Sequence, residues 1–222
     1  MVGFDVISDL SLEPDDHFNW AGKAESLYCI VAGNISNDLR TIHQTLTQLS
    51  FFYQGIFYVT GSLEYENVPN IDLRSNEIST ICNNIRNVTL LYNHVVILDG
   101  IAVVGANGWY GQKNVQSYAK QFSDIAYLGM SLERLQLHLD VVKIIIVTHS
   151  VPKPELYFGE EEMDIYDQMP PSTCLASDTM HKVTHWIFGS YNKEVDTMID
   201  GIHYVNNACY RRSPYWGKRI NV

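Results

Sequence analysis

Seven short apolar segments recur along the chain, and each ends at a glycine or a small polar residue. They are FDVIS (4–8), LYCIVA (27–32), IFYVT (56–60), HVVIL (94–98), IAVVG (101–105), KIIIVT (143–148) and HWIFG (185–189). Their length and their content of valine, isoleucine and aromatic residues favour buried β-strands over helices. The chain is therefore predicted to fold around a sheet system with an apolar interior.

Segments with helical periodicity lie between several of these strands. Residues 37–52 carry leucine or isoleucine at spacings of three and four, at Leu39, Ile42, Leu46 and Leu49. This pattern predicts an amphipathic helix, and Asn37 is expected to cap its N-terminus. The segments 75–85 and 131–142 show similar spacing and are also predicted to be helices.

Two Asp-Gly pairs predict tight hairpins, because such pairs accept the positive φ of the turn. Asp99-Gly100 joins the fourth and fifth strands, and Asp200-Gly201 joins strands over 195–199 and 202–206. Strand and helix alternate early in the chain and hairpins enter later. With 222 residues, 46% of them hydrophobic, and no repeat or low-complexity linker, we predict a single α/β domain over residues 1–222.

Charge and hydropathy exclude two classes of partner. The formal net charge is −10, whereas binding to nucleic acid phosphates needs clustered lysine and arginine, so nucleic acid is not expected as a general ligand. An acidic surface could instead suit a basic partner. No stretch approaches the roughly 18 apolar residues of a membrane helix, so no membrane association is expected.

Cysteine usage and the N-terminus indicate a cytoplasmic protein. The four cysteines are widely scattered and form no CxxC pair: Cys29, Cys82, Cys174 and Cys209. They are predicted to be reduced and mostly buried thiols. The first ten residues have no basic region and carry two acids, so they do not resemble a signal peptide.

Five strands are each followed by a loop of glycine and polar residues: SDLSLE (8–13), AGNISND (32–38), TGSLEYE (60–66), THSVPK (148–153) and FGSYNKE (188–194). Loops at the carboxyl ends of buried strands are where α/β proteins place reactive groups. In order and context these loops resemble those of the calcineurin-like metallophosphoesterases, from about residue 2 to residue 207. The resemblance implies a four-layer αββα sandwich, with residues 208–222 as a C-terminal tail.

The resemblance also implies a metal site. In that family two divalent metals lie at the carboxyl ends of the strands, held by Asp-x-His, Gly-Asp, Gly-Asn-His, a later His and Gly-His-x-His motifs. Eight positions of this chain match them: Asp9, Ser11, Asn34, Ser62, Leu63, His149, Ser190 and Asn192. Only Asp9 and His149 keep the residue that the motifs require. One carboxylate and one imidazole cannot offset the repulsion between two cations, so a dinuclear centre is not expected.

The replacements also remove two chemical roles that the family assigns. Asn34 is neutral and cannot bridge two cations as an aspartate does. Leu63 stands where a histidine would protonate the leaving group. The first hypothesis is therefore a catalytically inactive protein of this fold, without a cofactor, that binds a partner protein as a scaffold or inhibitor.

Aromatic residues near the loops are the candidate interface for that partner: Tyr65, Trp109, Tyr110 and Tyr191. Packing beneath the rim is the competing interpretation for Trp109 and Tyr110. Compact members of the resembled family are frequent in bacteria and their viruses, which implies a bacterial or phage protein, located in the host cytoplasm if it is viral.

Two further hypotheses stay open. The second is a surviving phosphodiesterase or phosphatase with one divalent metal, such as Mn or Mg, held by Asp9, His149 and Asn34. Neighbouring acids would help to hold that ion, and the candidates are Asp5, Asp38 and Glu64. The third is a metal-free module that binds a nucleotide or phosphate through serine hydroxyls and loop amides, with Ser11, Ser62 and Ser190 as candidates.

The C-terminal segment is the one locally basic region. It interleaves Arg211, Arg212, Lys218 and Arg219 with Tyr210, Tyr215 and Trp216. We expect its aromatic residues to pack against the domain while its charges stay solvated, and a small phosphate contact is the alternative.

Overall fold

Two β-sheets and three α-helices make up the described part of the chain. The computed structural model describes residues 1–108, 115–156, 180–210 and 215–222. In chain order the elements are β1 (Gly3–Ile7), β2 (Tyr28–Ala32), α1 (Leu39–Ser50), β3 (Gly55–Val59), α2 (Ile71–Asn83), β4 (Val88–Leu90), β5 (His94–Leu98), β6 (Ile101–Ala106), α3 (Val115–Leu137), β7 (Lys143–Thr148), β8 (Val183–Ile187), β9 (Val195–Ile199), β10 (Ile202–Asn206) and β11 (Lys218–Asn221). Single 3-10 turns occupy Leu63–Tyr65 and Pro154–Leu156.

The strands form one five-stranded and one six-stranded sheet. The first has the order β11-β1-β2-β3-β4 and the second the order β5-β6-β7-β8-β10-β9. Strands β1 to β4 are parallel to one another, as are β6, β7, β8 and β10. Strands β5, β9 and β11 pair antiparallel at three of the sheet edges. The parallel strands therefore direct their carboxyl ends to a common side of each sheet.

Three apolar clusters show how the layers stack. Side chains of both sheets meet in the central layer, among them Phe4, Val6, Ile30, Val103, Ile145 and Val205. Helices α1 and α2 cover the outer face of the first sheet through Ile42, Leu46 and Ile78. Helix α3 covers the second sheet through Leu128 and Leu132. The predicted four-layer αββα architecture is confirmed, and the burial of each such side chain contributes about 1.5–3 kcal/mol to its stability.

Several predicted elements have different ends in the structure. The N-cap of α1 is Asp38, whose carboxylate accepts from the Thr41 amide, so the assignment of Asn37 was wrong. Helix α2 starts four residues before its prediction, because the Asn70 side chain caps it by accepting from the Leu73 amide. Helix α3 begins well before residue 131 and ends at Leu137, so the predicted bounds 131–142 were wrong.

The hairpin turns and the thiols match their predictions. Asp99, Gly100, Asp200 and Gly201 have φ values of 48°, 78°, 52° and 81°. The described cysteines are all buried, namely Cys29, Cys82 and Cys209, and Cys174 lies outside the described residues. Within the described ranges, every helix is too short or too polar to span a lipid bilayer.

Part of the C-terminal segment, Lys218–Asn221, forms a β-strand that the sequence did not predict. Strand β11 pairs antiparallel with β1, in a register that places Lys218 opposite Val6. The Lys218 Nζ lies 2.6 Å from a Glu194 oxygen and 2.7 Å from an Asp196 oxygen. Both acids belong to the other sheet or the loop before it, so this lysine links the two sheets. Arg219 is exposed, as expected, whereas Arg211 and Arg212 lie outside the described residues.

Gly105 marks a close approach between the two sheets. A Cβ atom at this position would lie 2.5 Å from the Leu91 Cβ and 3.1 Å from the Val59 Cγ1. We therefore expect Gly105→Ala to lower the free energy of unfolding by about 3 kcal/mol through overpacking. The measurement is urea-induced unfolding followed by far-UV circular dichroism.

The matched control is Gly201→Ala in the second hairpin turn. A Cβ at Gly201 would meet no atom within 4 Å, but the φ of 81° remains. Left-handed backbone strain alone should then cost about 1 kcal/mol. Equal losses for the two variants would contradict the close approach at Gly105.

Candidate functional site

The five polar loops meet at the carboxyl ends of β1, β2, β3, β7 and β8, as predicted from their order. Backbone hydrogen bonds join two pairs of these loops, the first with the second and the fourth with the fifth. The Asp9 amide donates to the Gly33 carbonyl at 3.0 Å, and the Ser11 amide donates to the Asn34 carbonyl at 2.8 Å. The Gly189 amide donates to the His149 carbonyl at 3.0 Å. Bonds from the Ser190 amide to the Asp9 carboxylate and from the Asn34 amide to the Glu64 carboxylate join these pairs and the third loop into one connected surface.

Asp9 lies at the centre of this surface. Its side chain is 1% exposed, and its Oδ1 accepts from the Asn34 Nδ2 at 2.9 Å and from the Ser190 amide at 3.2 Å. Its Oδ2 is buried and has no hydrogen-bond partner among the described residues. Burial raises the pKa of Asp9 to about 7, because desolvation of the carboxylate outweighs these hydrogen bonds.

His149 is the second buried titratable group at the centre. Its Nδ1 lies 2.9 Å from the Ala32 carbonyl oxygen, which identifies Nδ1 as the protonated donor nitrogen. Burial lowers the pKa of His149 to about 4, so the ring is neutral at neutral pH. Its Nε2 then carries a lone pair, and this buried atom has no partner within the described part of the chain.

Three glycines make room for the His149 ring. A Cβ at Gly33 would lie 2.5 Å from its Nδ1, and a Cβ at Gly189 would lie 2.7 Å from the same atom. A Cβ at Gly61 would lie 2.7 Å from the His149 Cε1. Each glycine comes from a different polar loop, so the imidazole fills a space that exists only because these three positions lack side chains.

Asn34 connects the first loop to the third. Its amide nitrogen donates to the Asp9 carboxylate, and its Oδ1 accepts from the Leu63 amide at 2.8 Å. The Ser62 hydroxyl donates more weakly to the same oxygen, at 3.4 Å. Both ends of the Asn34 side chain therefore bind protein atoms.

Glu64 fixes the second and third loops. It is fully buried, and its two oxygens accept four hydrogen bonds, from the amides of Asn34, Ile35 and Gly61 and from the Tyr58 hydroxyl, at 2.7 to 3.1 Å. Desolvation raises the pKa of Glu64, and these donors oppose that shift. The sequence indicated Glu64 only as a possible metal helper, and the geometry shows that both oxygens are occupied by protein donors.

The other two acidic helpers lie elsewhere. Asp5 lies in the middle of β1, and its Oδ2 accepts from the Tyr53 hydroxyl and the Glu25 amide, each at 2.8 Å. Asp38 caps α1. Their assignment as candidate metal helpers was therefore wrong.

Two polar residues that the sequence did not single out position the loop after β6. The side-chain Nδ2 of Asn107 donates to the Thr60 carbonyl. The Asp124 carboxylate accepts from the Gly108 amide and from Asn93 Nδ2, each at 2.9 Å. Burial raises the pKa of Asp124 to about 6. Since Asp124 belongs to α3, only the tertiary fold brings it to this loop.

Four of the eight family-matched positions have a left-handed backbone. The φ values of Asp9, Ser11, Asn34 and Ser190 are 51°, 48°, 56° and 60°. This conformation costs a residue other than glycine roughly 1–2 kcal/mol. The loop contacts described above hold that strain in place.

The aromatic interface prediction fails for the residues that can be described. Tyr65 is 6% exposed, and its hydroxyl lies 3.1 Å from both the Thr60 and the Ser75 hydroxyls. Tyr191 is 3% exposed and packs in the cluster beneath α3. Trp109 and Tyr110 lie outside the described residues. At the surface, Ser190 and Asn192 are exposed, and Ser11, Ser62 and Leu63 are half-buried.

No group of three or more histidine, cysteine, aspartate or glutamate side chains that could hold a metal ion occurs in the described ranges. The donors that the eight family-matched positions bring together are one carboxylate, one imidazole, two amides and three hydroxyls.

Sequence comparison finds one distant relative. No protein-family model matches the chain. It is 29% identical over 119 residues to an uncharacterized protein of Acanthamoeba polyphaga mimivirus, an alignment that covers 46% of this chain and 42% of the viral protein. The chain thus spans less than half the length of this relative.

Solved structures with similar folds are more informative. The phosphopantetheinyl hydrolase of Mycobacterium tuberculosis matches 98% of this chain and 95% of its own, with a TM-score of 0.62 and 15% identity. A putative 5'-nucleotidase from Staphylococcus aureus, crystallised with alpha-ketoglutarate, matches 93% of this chain and 48% of its own, with a TM-score of 0.53 and 10% identity. The anchor in the inner membrane complex of Plasmodium matches 93% and 71%, with a TM-score of 0.60 and 12% identity. The chain has the metallophosphoesterase-type α/β fold that its loops predict.

The role of Glu64 can be tested by Glu64→Gln. Glutamine keeps the size but offers one acceptor oxygen, and its NH₂ group would face donors that need an acceptor. We expect the free energy of unfolding to fall by about 2–4 kcal/mol, because two buried donors lose their partner. Urea unfolding measures this, with the exposed Glu133→Gln in α3 as a control that should change it by less than about 0.5 kcal/mol. A loss equal to that of the control would contradict the role assigned to Glu64.

The burial of Asp9 predicts a pH dependence. Because its pKa is raised from 3.8 to about 7, its contribution to stability is complete below about pH 4 and is lost as the pH rises through about 7. Relative to the wild type, Asp9→Asn should therefore gain on the order of 2–4 kcal/mol between about pH 4 and pH 8. The measurement is the difference in unfolding free energy at each pH, in which the opposite contribution of His149 cancels. A difference that stays flat or falls with pH would show an ionised Asp9 in the folded state.

Proposed function

We propose that this protein is a catalytically inactive relative of the metallophosphoesterases and acts by binding another protein. The observation that carries the proposal is the position of Asn34. Its side-chain Nδ2 donates to Asp9 while its side-chain Oδ1 accepts from the Leu63 amide. The first and third loops are thereby held together by hydrogen bonds from a neutral side chain.

The residues present do not fit a dinuclear metal centre. Two neighbouring cations need several anionic or imidazole ligands to offset their repulsion. Asp9 and His149 supply one of each, and Glu64 directs both oxygens to protein donors. The NH₂ group of Asn34 lies 2.9 Å from Asp9 Oδ1, and this donor would oppose a cation bound to that oxygen.

The hydrogen bonds of Asn34 and Glu64 also perform the structural work that bridging metals would do in joining loops. Leu63 also supports the proposed loss of catalysis, because its side chain cannot donate a proton to a leaving group. Loops that are joined by side-chain hydrogen bonds, together with a leucine at the position of the general acid, support a binding role over hydrolysis.

Two similar proteins bear on the binding role and on the source of this chain. A protein with the same fold is described as an anchor in a membrane complex, so the fold accommodates such a role, although fold alone does not assign function. The similarity to a mimivirus protein supports a viral source. We infer on that basis a partner in the host cytoplasm.

A second candidate function rests on a different observation. Asp9 Oδ2 and His149 Nε2 are both buried, and neither has a hydrogen-bond partner among the described residues. These atoms are the two that could hold a single divalent ion such as Mn²⁺ or Mg²⁺. Mg²⁺ requires octahedral coordination, so two protein ligands would leave most of its positions to water.

Metal content and turnover separate the two candidates. We expect protein purified without added metal to contain far less than one equivalent of Mn, Mg, Zn or Fe by inductively coupled plasma mass spectrometry. Added EDTA should leave the melting temperature unchanged, because hydrogen bonds and not ions join the loops. Hydrolysis of bis(p-nitrophenyl) phosphate with excess Mn²⁺ should not exceed the rate in buffer.

The control is Asp9→Ala, which removes the strongest remaining ligand. Under the proposal this variant has the same background hydrolysis as the wild type. Stoichiometric metal in the wild type, together with turnover that disappears in Asp9→Ala, would establish the single-metal enzyme instead.

A further inference from the structure

Two adjoining cavities lie over the polar loops. Their volumes are about 530 and 480 Å³, and they share Ser11, Leu63, Glu66 and Tyr210. Since the shared residues line both, the cavities form one continuous depression beside the eight family-matched positions. We call it the rim groove and define it by six residues: Leu12, Glu13, Asp16, Leu63, Glu66 and Tyr210.

The ionisable side chains of the rim groove are acidic. Glu13, Asp16 and Glu66 are exposed, and none of the three forms an ion pair with another described residue. No lysine, arginine or histidine occurs among the described residues that line either cavity. Glu13 and Asp16 share one turn, in which the Glu13 amide donates to Asp16 Oδ2 at 2.8 Å. Their carboxylates therefore project from a common piece of backbone.

One described lysine adjoins a wall of the larger cavity. Lys23 lies 5.8 Å from the ring centroid of Tyr215, a wall residue of the larger cavity, and its Nζ donates to the Asn19 carbonyl. Arg211 and Arg212 follow Tyr210 in sequence and lie outside the described residues. Among the groups that can be placed, the groove is thus strongly negative, in a chain whose net charge is −10.

Apolar and aromatic walls complete the groove. Leu12 is buried, Leu63 and Tyr210 are half-buried, and all three line the larger cavity. Arginine and lysine cover apolar surface with their aliphatic stems, and a guanidinium also stacks on aromatic rings. The leucine and tyrosine walls therefore match the aliphatic stem of such a side chain, and the carboxylates match its charged head.

We propose that the rim groove binds a basic segment of a partner protein, with at least one arginine or lysine side chain placed between its walls. This inference rests on the proposed binding function and names the chemistry of the partner. A phosphate-bearing ligand would instead meet three carboxylates, and no described residue that lines the groove offers a compensating cation. Because the carboxylates are exposed, they act mainly on the rate of association and on its salt dependence.

The probe is a fluorescein-labelled peptide of sequence Ala-Arg-Ala-Arg-Ala, with Ala-Gln-Ala-Gln-Ala and Ala-Glu-Ala-Glu-Ala as matched controls. Fluorescence anisotropy with the full chain should show saturable binding of the arginine peptide alone. Its affinity should fall when the ionic strength rises from about 0.05 M to about 0.3 M, because screening weakens exposed charge pairs.

The variant is Glu66→Gln, and the matched control is Glu133→Gln on α3. Glu66→Gln should weaken binding of the arginine peptide by about twofold to fivefold, the scale of one exposed ion pair, and Glu133→Gln should leave it unchanged. Asp16→Asn is a second groove variant in which the oxygen that accepts from the Glu13 amide is retained. Unchanged melting temperatures show that each variant is folded.

Several outcomes would overturn the inference. They are no saturable binding of the arginine peptide, equal binding of the glutamine or glutamate peptide, and equal effects of Glu66→Gln and Glu133→Gln. Tighter binding of AMP than of the arginine peptide would assign the groove to phosphate ligands. These results do not measure hydrolysis. The proposed loss of catalysis is therefore tested separately, by metal content and turnover.

Discussion

One buried carboxylate sets the geometry of the loops. Glu64 collects three backbone amides and one tyrosine hydroxyl, and those amides belong to the loops after β2 and β3. A buried amide without an acceptor costs about 1–3 kcal/mol. The conformations of the two loops that bring their amides to Glu64 are therefore strongly favoured. Asn34 is carried to Asp9 by that arrangement, and the rest of the site follows from their contact.

Charge at the centre is low because the environment does not support it. Asp9 has a pKa near 7 and His149 a pKa near 4, so burial disfavours the charged form of each group. A second carboxylate in place of Asn34 would add another charge to a desolvated space without a cation to balance it. An amide avoids that cost, because it donates to Asp9 and accepts from the Leu63 amide. A neutral Asn34 is therefore consistent with the lack of strong metal ligands at the other substituted positions.

The fold was largely predictable because its signal is local, whereas the details of the site depend on tertiary contacts. Runs of valine and isoleucine identified the long strands, but β4 has only three residues and β11 reads KRIN, so neither has a recognisable apolar pattern. The order of the polar loops placed Asp9 and His149 together. The roles of Glu64 and Asp124 could not be read from sequence, because an acceptor for distant backbone amides leaves no periodic pattern. Tyr65 and Tyr191 were predicted to be exposed for a related reason. The sequence does not show whether a tyrosine beside a loop points into the core or toward solvent, because tertiary packing determines that direction.

The left-handed backbone at Asp9, Ser11, Asn34 and Ser190 has a consequence for protein engineering. Building a catalytic centre into a new scaffold usually fails at the backbone, since loops must hold side chains within a fraction of an ångström. Here the unusual φ values, the glycine space around His149 and the convergence of five loops already exist. Histidine and aspartate introduced at the six positions that lack the family's ligands would therefore start from a prearranged frame, and the attempt would measure how far side chains alone can build a hydrolytic site on these loops.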